Sequence, residues 1–441
     1  MGRKARWVGA SCPRRTGADS TAPQAHNVLE ITLADPHAKP ADDTIAAGFA
    51  SPRYNLTGSF FRSHPAARHR GEHDSQSASP RLVRRDMPAK HHYIIGKSGT
   101  GKSTLLEHLL LTTTGGFCLL DPHGDLAEAV ADKTECIYFD PIETPMGLNV
   151  LGNVAAGQRH LVAANVIASF KAIWSDSWGP RLEWILYNSL RLLLDNNESI
   201  LAIPKLLTVK SYRASLLARA TFPDFWLQEF DAWDTRYRND AIAPVLNKVG
   251  QLVADPVLQK IMARKTTLKP SRIFRKQQRL VVNLSKAKLG ATVSALLGSF
   301  IVTAFYQAAL TRDERPPFRL VADEFQNFAT DSFADILSES RKYGLFITAA
   351  HQLLGQLPPL LRQSVFGNVG EMICFRVGAE DAPLLAKELG LKNPDMLTDL
   401  SNFEAYSREG GPYDATLFKT LPPTPKLGKL EANKRRTRAR H

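Results

Sequence analysis

A short run rich in glycine, ending in a lysine and a hydroxyl residue, carries the strongest chemical signal in this chain of 441 residues. Glycines let backbone N–H groups approach an anion closely, and a helix that begins at such a loop adds the positive end of its dipole. In a loop of this spacing the last lysine contacts the β- and γ-phosphates of a nucleotide, and the next hydroxyl coordinates Mg²⁺. The run therefore predicts an ATP site, with Lys102 on the phosphates and Ser103 on Mg²⁺. Its residues are Gly96, Lys97, Ser98, Gly99, Thr100, Gly101, Lys102, Ser103 and Thr104.

Two adjacent carboxylates, Asp323 and Glu324, follow an apolar run at residues 318–322. A carboxylate at the end of such a strand can orient Mg²⁺, and a neighbouring glutamate can polarise the water that attacks the terminal phosphate. We therefore expect Asp323 to serve the metal and Glu324 to act as the catalytic base. The alternative is a carboxylate pair that only caps the next helix, which is a common arrangement.

Gln352 and Arg341 are two further candidates for catalytic residues. Gln352 ends the next apolar strand, where its amide could contact the γ-phosphate or the attacking water, although a glutamine after a strand is by itself a weak signal. Arg341 could be an arginine finger, which stabilises charge on the transferring phosphoryl group and is often supplied by a neighbouring subunit. It could equally be an ordinary basic residue in the last turn of a helix, where the helix dipole favours it. Its position alone does not separate the two.

The elements that must hold these residues alternate between strand and helix. Helices are predicted at residues 102–111 and 333–343, the first of them directly after the glycine-rich run. Such alternation is typical of an α/β domain with a parallel sheet. Strands are predicted at residues 91–95, 116–120, 136–139, 280–284, 318–322, 345–350 and 372–377.

The pattern changes between residues 155 and 265, where apolar residues recur at helical spacing and five of the six tryptophans lie. An all-helical insertion within the α/β domain explains this change, and core packing explains the tryptophans. A later stretch, Leu289 to Thr311, carries no charge and is long enough to span a bilayer. Its place between two predicted strands favours a buried core helix instead.

Charge is concentrated at the two ends of the chain. Residues 1–92 hold 14 Lys and Arg against 8 Asp and Glu, and residues 426–441 hold 7 against 1, so that about +1 of the net +13 is left for residues 93–425. A DNA channel would therefore depend on local asymmetry of charge. The four cysteines form no C-x-x-C pair, so neither a zinc ribbon nor a disulfide scaffold is indicated.

We divide the chain into five predicted segments, with the last ordered piece ending near Pro425. The first is expected to be disordered because it lacks a sustained apolar period. The segments are a basic N-terminal segment at 1–87, the first part of the ATPase domain at 88–154, the helical insertion at 155–270, the second part of the ATPase domain at 271–425, and a basic tail at 426–441.

These motifs, in this order, resemble those of the FtsK–HerA superfamily of P-loop motor ATPases, and within it the TraG-like and TraD-like coupling ATPases of conjugative type IV secretion. The resemblance covers residues 88–425. The turn Asp-Pro-His-Gly-Asp at 121–125 and the spacing between Arg341 and Gln352 are more specific to this superfamily than the glycine-rich run, which is its P-loop. The matching stretches are residues 93–106, 120–126, 178–181, 323–328, 339–344 and 351–352.

The resemblance implies an α/β fold, a RecA-like P-loop NTPase sheet with helices on both faces and an all-helical insertion. It also implies a homo-hexameric ring that hydrolyses ATP and moves DNA through its centre, with Arg341 of one subunit acting in the site of the next. A relaxase or a secretion-channel protein would be a further partner. Asp121 and Asp125 match the family pattern, and their role stays open between a turn contact and a nucleotide contact.

Membrane-anchored coupling proteins carry N-terminal transmembrane helices, and residues 1–90 show none. We therefore expect a cytoplasmic protein that meets the inner face of the membrane through partners. Two alternatives stay open. One is a soluble HerA-like translocase in DNA processing or defence, and the other is a slow nucleotide-dependent switch that moves no DNA.

Overall fold

Ten strands form one sheet in the computed structural model, which describes residues 81–82, 89–410 and 415–440. Apart from the short strand at Arg81–Leu82, the expected disorder of residues 1–87 lies outside the described residues. The strands are β1 Arg81–Leu82, β2 His92–Ile95, β3 Phe117–Asp121, β4 Ile137–Phe139, β5 Arg279–Asn283, β6 Phe318–Ala322, β7 Leu345–His351, β8 Glu371–Cys374, β9 Glu404–Glu409 and β10 Thr416–Lys419.

The order of the strands across the sheet is β1-β10-β9-β8-β2-β7-β6-β3-β5-β4. The seven strands from β8 to β4 are parallel, whereas β9 runs antiparallel to both β8 and β10. All seven strands predicted from the sequence are present. The last residue of β2, Ile95, lies opposite His351 of β7, and Ala322 of β6 lies opposite Ala349. The carboxyl ends of β2, β6 and β7 therefore meet at one edge.

Sixteen α-helices accompany the sheet within the described part of the chain. They are α1 Lys102–Thr112, α2 Asp125–Lys133, α3 Arg159–Ile173, α4 Pro180–Asp195, α5 Ile203–Thr208, α6 Lys210–Leu217, α7 Thr235–Ala254, α8 Pro256–Met262, α9 Pro270–Arg275, α10 Lys286–Leu289, α11 Ala291–Leu310, α12 Asp331–Glu339, α13 Pro359–Asn368, α14 Ala382–Leu389, α15 Asp395–Thr398 and α16 Leu430–Arg440.

Alternate side chains of the buried strands enter two separate hydrophobic cores, one on each face of the sheet. On β2, Tyr93 and Ile95 join the larger core with α11 to α14, while Ile94 joins the smaller core with α1 and α2. The predicted α/β sheet with helices on both faces is thereby confirmed. Parallel strands covered on both faces are expected to be continuously apolar, as β3 is at Phe117–Leu120.

The segment between β4 and β5 is helical, from α3 to α9, as the tryptophan-rich pattern predicts. Its core is continuous with that of the sheet, because Phe170 of α3 packs edge-on against Phe300 of α11 with the ring centroids 6.3 Å apart. The boundaries assigned to the five segments stay a prediction.

Helix α11 is the only helix in the described residues that is long and apolar enough to cross a membrane. It lies in the protein core, with 72% of its most apolar window buried. Its Gly298 lies against Phe328, where an added Cβ would come within 2.1 Å of the ring. The expectation of a buried core helix is confirmed.

The prediction that order ends near Pro425 is wrong, because residues 430–440 form helix α16. The helix packs beside β4, and its Thr437 hydroxyl accepts a hydrogen bond from the Tyr138 N–H at 3.1 Å. Asn433 bonds to three backbone groups, the N–H of Cys136 and the carbonyls of Ala131 and Thr134. The helix therefore docks through polar side chains that satisfy the backbone at the sheet edge, which an apolar pattern does not reveal.

Candidate nucleotide-binding and hydrolysis site

The glycine-rich loop leaves β2 at the middle of the sheet and leads directly into α1. Its first residues are fixed by the strands on either side. The N–H of Gly96 donates to the carbonyl of His351 on β7 at 3.3 Å, and the N–H of Lys97 donates to the carbonyl of Arg376 after β8 at 2.8 Å. The loop is therefore held at the carboxyl edge of a parallel sheet, where ligands commonly bind in this class of fold.

Three glycines of the loop occupy positions that a larger residue fits poorly. Gly99 and Gly101 have φ values of +76° and +117°, a region that favours glycine. An added Cβ on Gly96 would lie 2.5 Å from the Cβ of Phe375, and one on Gly101 would lie 3.2 Å from the Cα of Phe403. The backbone path of the loop thus depends on these glycines.

The Lys102 ammonium is folded back onto the loop. Its Nζ donates to the carbonyls of Gly96 at 2.7 Å and Lys97 at 3.1 Å. Burial lowers the pKa of Lys102, and the charges of Glu324 and Asp323 oppose that shift. The ammonium is therefore desolvated, lies close to two carboxylates, and is held by the carbonyl groups of the loop.

Asp323 and Glu324 follow β6, one strand removed from β2, with β7 between them. Asp323 is buried, and desolvation raises its pKa to about 7, with the charges of Asp121 and Glu324 adding to the shift and Lys102 acting against it. One Asp323 oxygen also accepts the N–H of Glu324 at 3.1 Å. A bound cation would relieve the repulsion between these carboxylates.

Glu324 has a left-handed backbone, with φ +47°, and its side chain is 5% exposed. Its two carboxylate oxygens accept from two amides, Gln352 Nε2 at 2.6 Å and Gln326 Nε2 at 2.8 Å. The side chain does not cap the short 3₁₀ turn that follows at Phe325–Asn327. The capping alternative for Glu324 is therefore not the arrangement found.

His351, the last residue of β7, links the strand of the loop to the turn after β6. Its ring packs against Tyr93 with the centroids 5.3 Å apart and against Phe325 at 5.2 Å. The Tyr93 hydroxyl lies 3.4 Å from His351 Nε2. Burial lowers the pKa of His351 to about 3, so that the ring is neutral. A neutral aromatic contact thus fixes the strand end that carries Gln352.

One cavity of about 460 Å³ lies at this carboxyl edge of the sheet. The volume falls within the range of small-molecule sites. The structure brings the loop, Asp323, Glu324 and Gln352 to this cavity. The lining residues are Ser98, Gly99, Gly101, Lys102, Ser103, Thr104, Asp121, His123, Asp125, Leu126, Asp323, Glu324, Gln352 and Phe403.

Asp121 and Asp125 border the same cavity in different ways. The two carboxylate oxygens of Asp121 accept the N–H groups of His123 at 2.8 Å and Ala127 at 2.9 Å. Asp121 thereby holds the turn that starts α2, which is the turn contact left open above. Asp125 is exposed in the first turn of α2 and faces solvent at the rim.

Arg341 is not brought to the cavity. It lies in a 3₁₀ turn, Ser340–Tyr343, before the amino end of β7, whereas Gln352 follows the carboxyl end of the same strand. Its charge acts on His91, which precedes β2, and helps to lower the pKa of that histidine. Since β7 has seven residues, roughly 20 Å of strand separate Arg341 from the cavity of its own chain.

Gln326 and Phe403 are among the residues at the site to which the sequence assigns no role. Gln326 lies in a matched motif, but a glutamine in a turn carries no signal of its own. Phe403 comes from the distant segment before β9, where its N–H donates to the carbonyl of Thr100 at 2.7 Å. Its ring lies beside the loop, with Cδ1 3.0 Å from the position of a Cβ added to Gly101. No local pattern predicts that contact.

The residues at this edge fit Mg²⁺ bound together with a nucleotide. Mg²⁺ prefers oxygen ligands and is commonly held by one or two protein groups, phosphates and water. The Ser103 hydroxyl and the Asp323 carboxylate supply such oxygens in one cavity with Lys102. Among residues 89–410 and 415–440, no group of three or more His, Cys, Asp and Glu is arranged to hold a metal by itself.

The fold is similar to those of solved coupling proteins. Plasmid coupling protein TrwB, solved with ADP and Mg²⁺, has a TM-score of 0.61 at 16% identity, with 80% of this chain and 92% of that chain covered. The bacterial conjugative coupling protein TrwBΔN70 in its unbound form has a TM-score of 0.58 at 17% identity, with 80% and 91% covered.

A further solved structure, VirB4 of Thermoanaerobacter pseudethanolicus, has a TM-score of 0.58 at 14% identity, with 79% of this chain and 97% of that chain covered. No family model and no curated protein matches the chain. These TM-scores establish a common fold, and at identities this low they establish the fold alone. The predicted resemblance to the coupling ATPases is confirmed at that level.

Proposed function

We propose that this chain is an ATP-hydrolysing motor that translocates DNA, as the coupling ATPase of conjugative transfer by type IV secretion. One observation carries the proposal. A phosphate-binding loop and a buried acid pair, with an amide on the glutamate, converge on a single cavity. The shared fold with TrwB, a protein described as a plasmid coupling protein, supports the assignment to DNA transfer.

The chemistry assigned to the cavity is attack of water on the γ-phosphorus of ATP, which breaks the bond to the β-phosphate oxygen and releases ADP and phosphate. Glu324 accepts a proton from the attacking water at a carboxylate oxygen. Lys102 moves from the loop carbonyls to the β- and γ-phosphates as they enter. Ser103 and Asp323 would hold Mg²⁺, which when bound would supply charge neutralisation at the phosphates.

Gln352 would bind the γ-phosphate or the attacking water, and its release from Glu324 would couple nucleotide binding to β7. Arg341 is assigned to the cavity of a neighbouring subunit in a homo-hexameric ring, since it lies at the opposite edge of its own sheet. DNA is the proposed cargo, and a relaxase or secretion-channel protein the proposed further partner.

The test measures ATP hydrolysis by the full chain with no DNA, with single-stranded DNA and with double-stranded DNA. We expect stimulation by one of the DNA forms. Turnover that ignores both would sink the motor assignment and favour a slow nucleotide switch. Turnover that does not respond to DNA would also agree with the nearly neutral net charge of residues 93–425.

Two variants test the site itself. Lys102→Ala should lose nucleotide binding, because a buried cation that meets the phosphates is gone. Glu324→Gln should retain binding and lose about 100-fold or more in turnover, the usual contribution of a general base. Normal ATP affinity in the first variant, or wild-type turnover in the second, would contradict the assigned roles.

A further inference from the structure

Glu324 is held by two side chains that come from different elements. Gln352 follows β7, and Gln326 lies in the 3₁₀ turn Phe325–Asn327 after β6. Each donates one amide hydrogen to a different oxygen of the carboxylate, at 2.6 Å and 2.8 Å. The terminal torsion of a glutamate is otherwise broad. Two donors on two oxygens therefore fix the plane of the carboxylate, whereas one donor leaves it able to turn.

The turn that carries Gln326 is itself anchored. Phe325 is fully buried against His351 and Phe333, with ring centroids 5.2 Å and 5.6 Å apart. The Asn327 side chain donates to the Glu324 carbonyl at 2.6 Å and accepts from the Lys286 ammonium. The neighbours of Gln326 on both sides are therefore immobilised, and its amide is presented to Glu324 from a fixed position.

Gln326 and Gln352 differ in their access to the cavity. Gln352 is among the residues that line it, and Gln326 is not. The carbonyl oxygen of the Gln326 amide is buried and has no partner among the described residues, so the bond to Glu324 is the only side-chain hydrogen bond the described structure gives this amide. Gln326 therefore contacts Glu324 without lining the cavity.

We infer that Gln326 is a positioning residue for hydrolysis, which keeps the Glu324 carboxylate aimed at the water when Gln352 turns to the γ-phosphate. The inference rests on the proposed ATPase function and adds a residue to it. It predicts that the contribution of Gln326 to turnover passes entirely through the Glu324 carboxylate, with no contribution to nucleotide affinity.

The test compares Gln326→Leu and Gln326→Met with the wild-type chain. Both variants lack the N–H donor and add no charge beside Glu324, and the unbranched Met keeps the approximate length of glutamine in case Leu disturbs folding. We expect kcat to fall about 10-fold or more, since loss of alignment at a reacting group has effects of this order. KM for ATP should change less than about 2-fold, because losing an interaction made only in the transition state lowers kcat and kcat/KM by the same factor. Gln251→Leu, at an exposed glutamine of α7, is the control and should leave both unchanged.

A second arm separates positioning from a merely structural role. Each Gln326 change is repeated in a Glu324→Gln background, and residual turnover is followed by single-turnover release of labelled phosphate. We expect no further loss there, because residues that act through one group are not additive. An equal loss in both backgrounds, or a wild-type kcat in both single variants, would overturn the inference. If the wild-type chain itself does not hydrolyse ATP, the proposed function fails first.

Discussion

His91 makes the stability of the fold sensitive to acid. The residue is fully buried, and its Nδ1 accepts the N–H of Ile347 on β7 at 2.8 Å, so that this nitrogen carries no proton. Burial, followed by the charge of Arg341, lowers the pKa of His91 from 6.5 to about 4. Between these values the unfolded chain binds a proton that the folded chain excludes. The contribution of neutral His91 is therefore present above pH 6.5 and is lost as the pH falls toward 4.

The size of the effect follows from the shift in pKa. A change from 6.5 to about 4 corresponds to about 3 kcal/mol in total, at about 1.4 kcal/mol for each unit. By linkage, about 2 kcal/mol of this is lost at about pH 5. The free energy of unfolding would be measured by denaturant titration between neutral pH and about pH 5. His91→Asn keeps an acceptor for the Ile347 N–H and cannot take up the proton.

The wild-type chain should therefore lose about 2 kcal/mol more than His91→Asn over this range, whatever the other groups do, because those groups are common to both. His160→Asn, at an exposed histidine, is the control and should follow the wild type. If the wild type and His91→Asn have parallel pH profiles, then His91 is not held neutral by the fold, and the reasoning from burial and the Ile347 contact is refuted.

Two other predictions concern the C-terminal helix α16 and the proposed action of Arg341 on a neighbouring subunit. Asn433→Ala removes three hydrogen bonds to the backbone beside β4 and should lower the free energy of unfolding by about 2–3 kcal/mol in denaturant titration. The control Arg435→Ala, at an exposed residue, should change that free energy by less than about 0.5 kcal/mol. Equal effects of the two changes would mean that α16 is not docked in solution. Arg341→Ala and Lys102→Ala should each be inactive alone, and mixing equal amounts should complete about a quarter of the sites in a head-to-tail ring. No recovery on mixing would argue against action in trans.

The local chemistry of the site was predictable because its parts are each encoded within a few residues. The loop needs only a strand, its own glycines and the start of a helix, and Asp323-Glu324 and Gln352 each need only the end of an apolar strand. Parallel pairing then brings these strand ends to one edge. Which strand separates β2 from β6 is set by pairings between distant segments, and no sequence pattern reports it.

The parts that escaped prediction depend on contacts between distant segments or on polar docking. Phe403 reaches the loop across about 300 residues of sequence. Helix α16 has a basic composition that indicates a solvated tail, but its Asn433 and Thr437 fit the backbone around β4. In both cases the free energy comes from a match to a particular backbone, and the residue types alone do not show that the match exists.

The position of Arg341 means that it can act as an arginine finger only if the chain assembles with other copies of itself. Roughly 20 Å of β7 separate this residue from the cavity of its own chain, and β7 is fully buried and paired on both sides. No side-chain rotation covers that distance, so Arg341 can serve catalysis only from another copy. A head-to-tail contact between the amino edge of one sheet and the carboxyl edge of the next is heterologous, and such contacts form a ring when the rotation between copies closes. This geometry requires that activity rise with protein concentration and fall in Arg341→Ala. A monomer that had full turnover and still required Arg341 would contradict it.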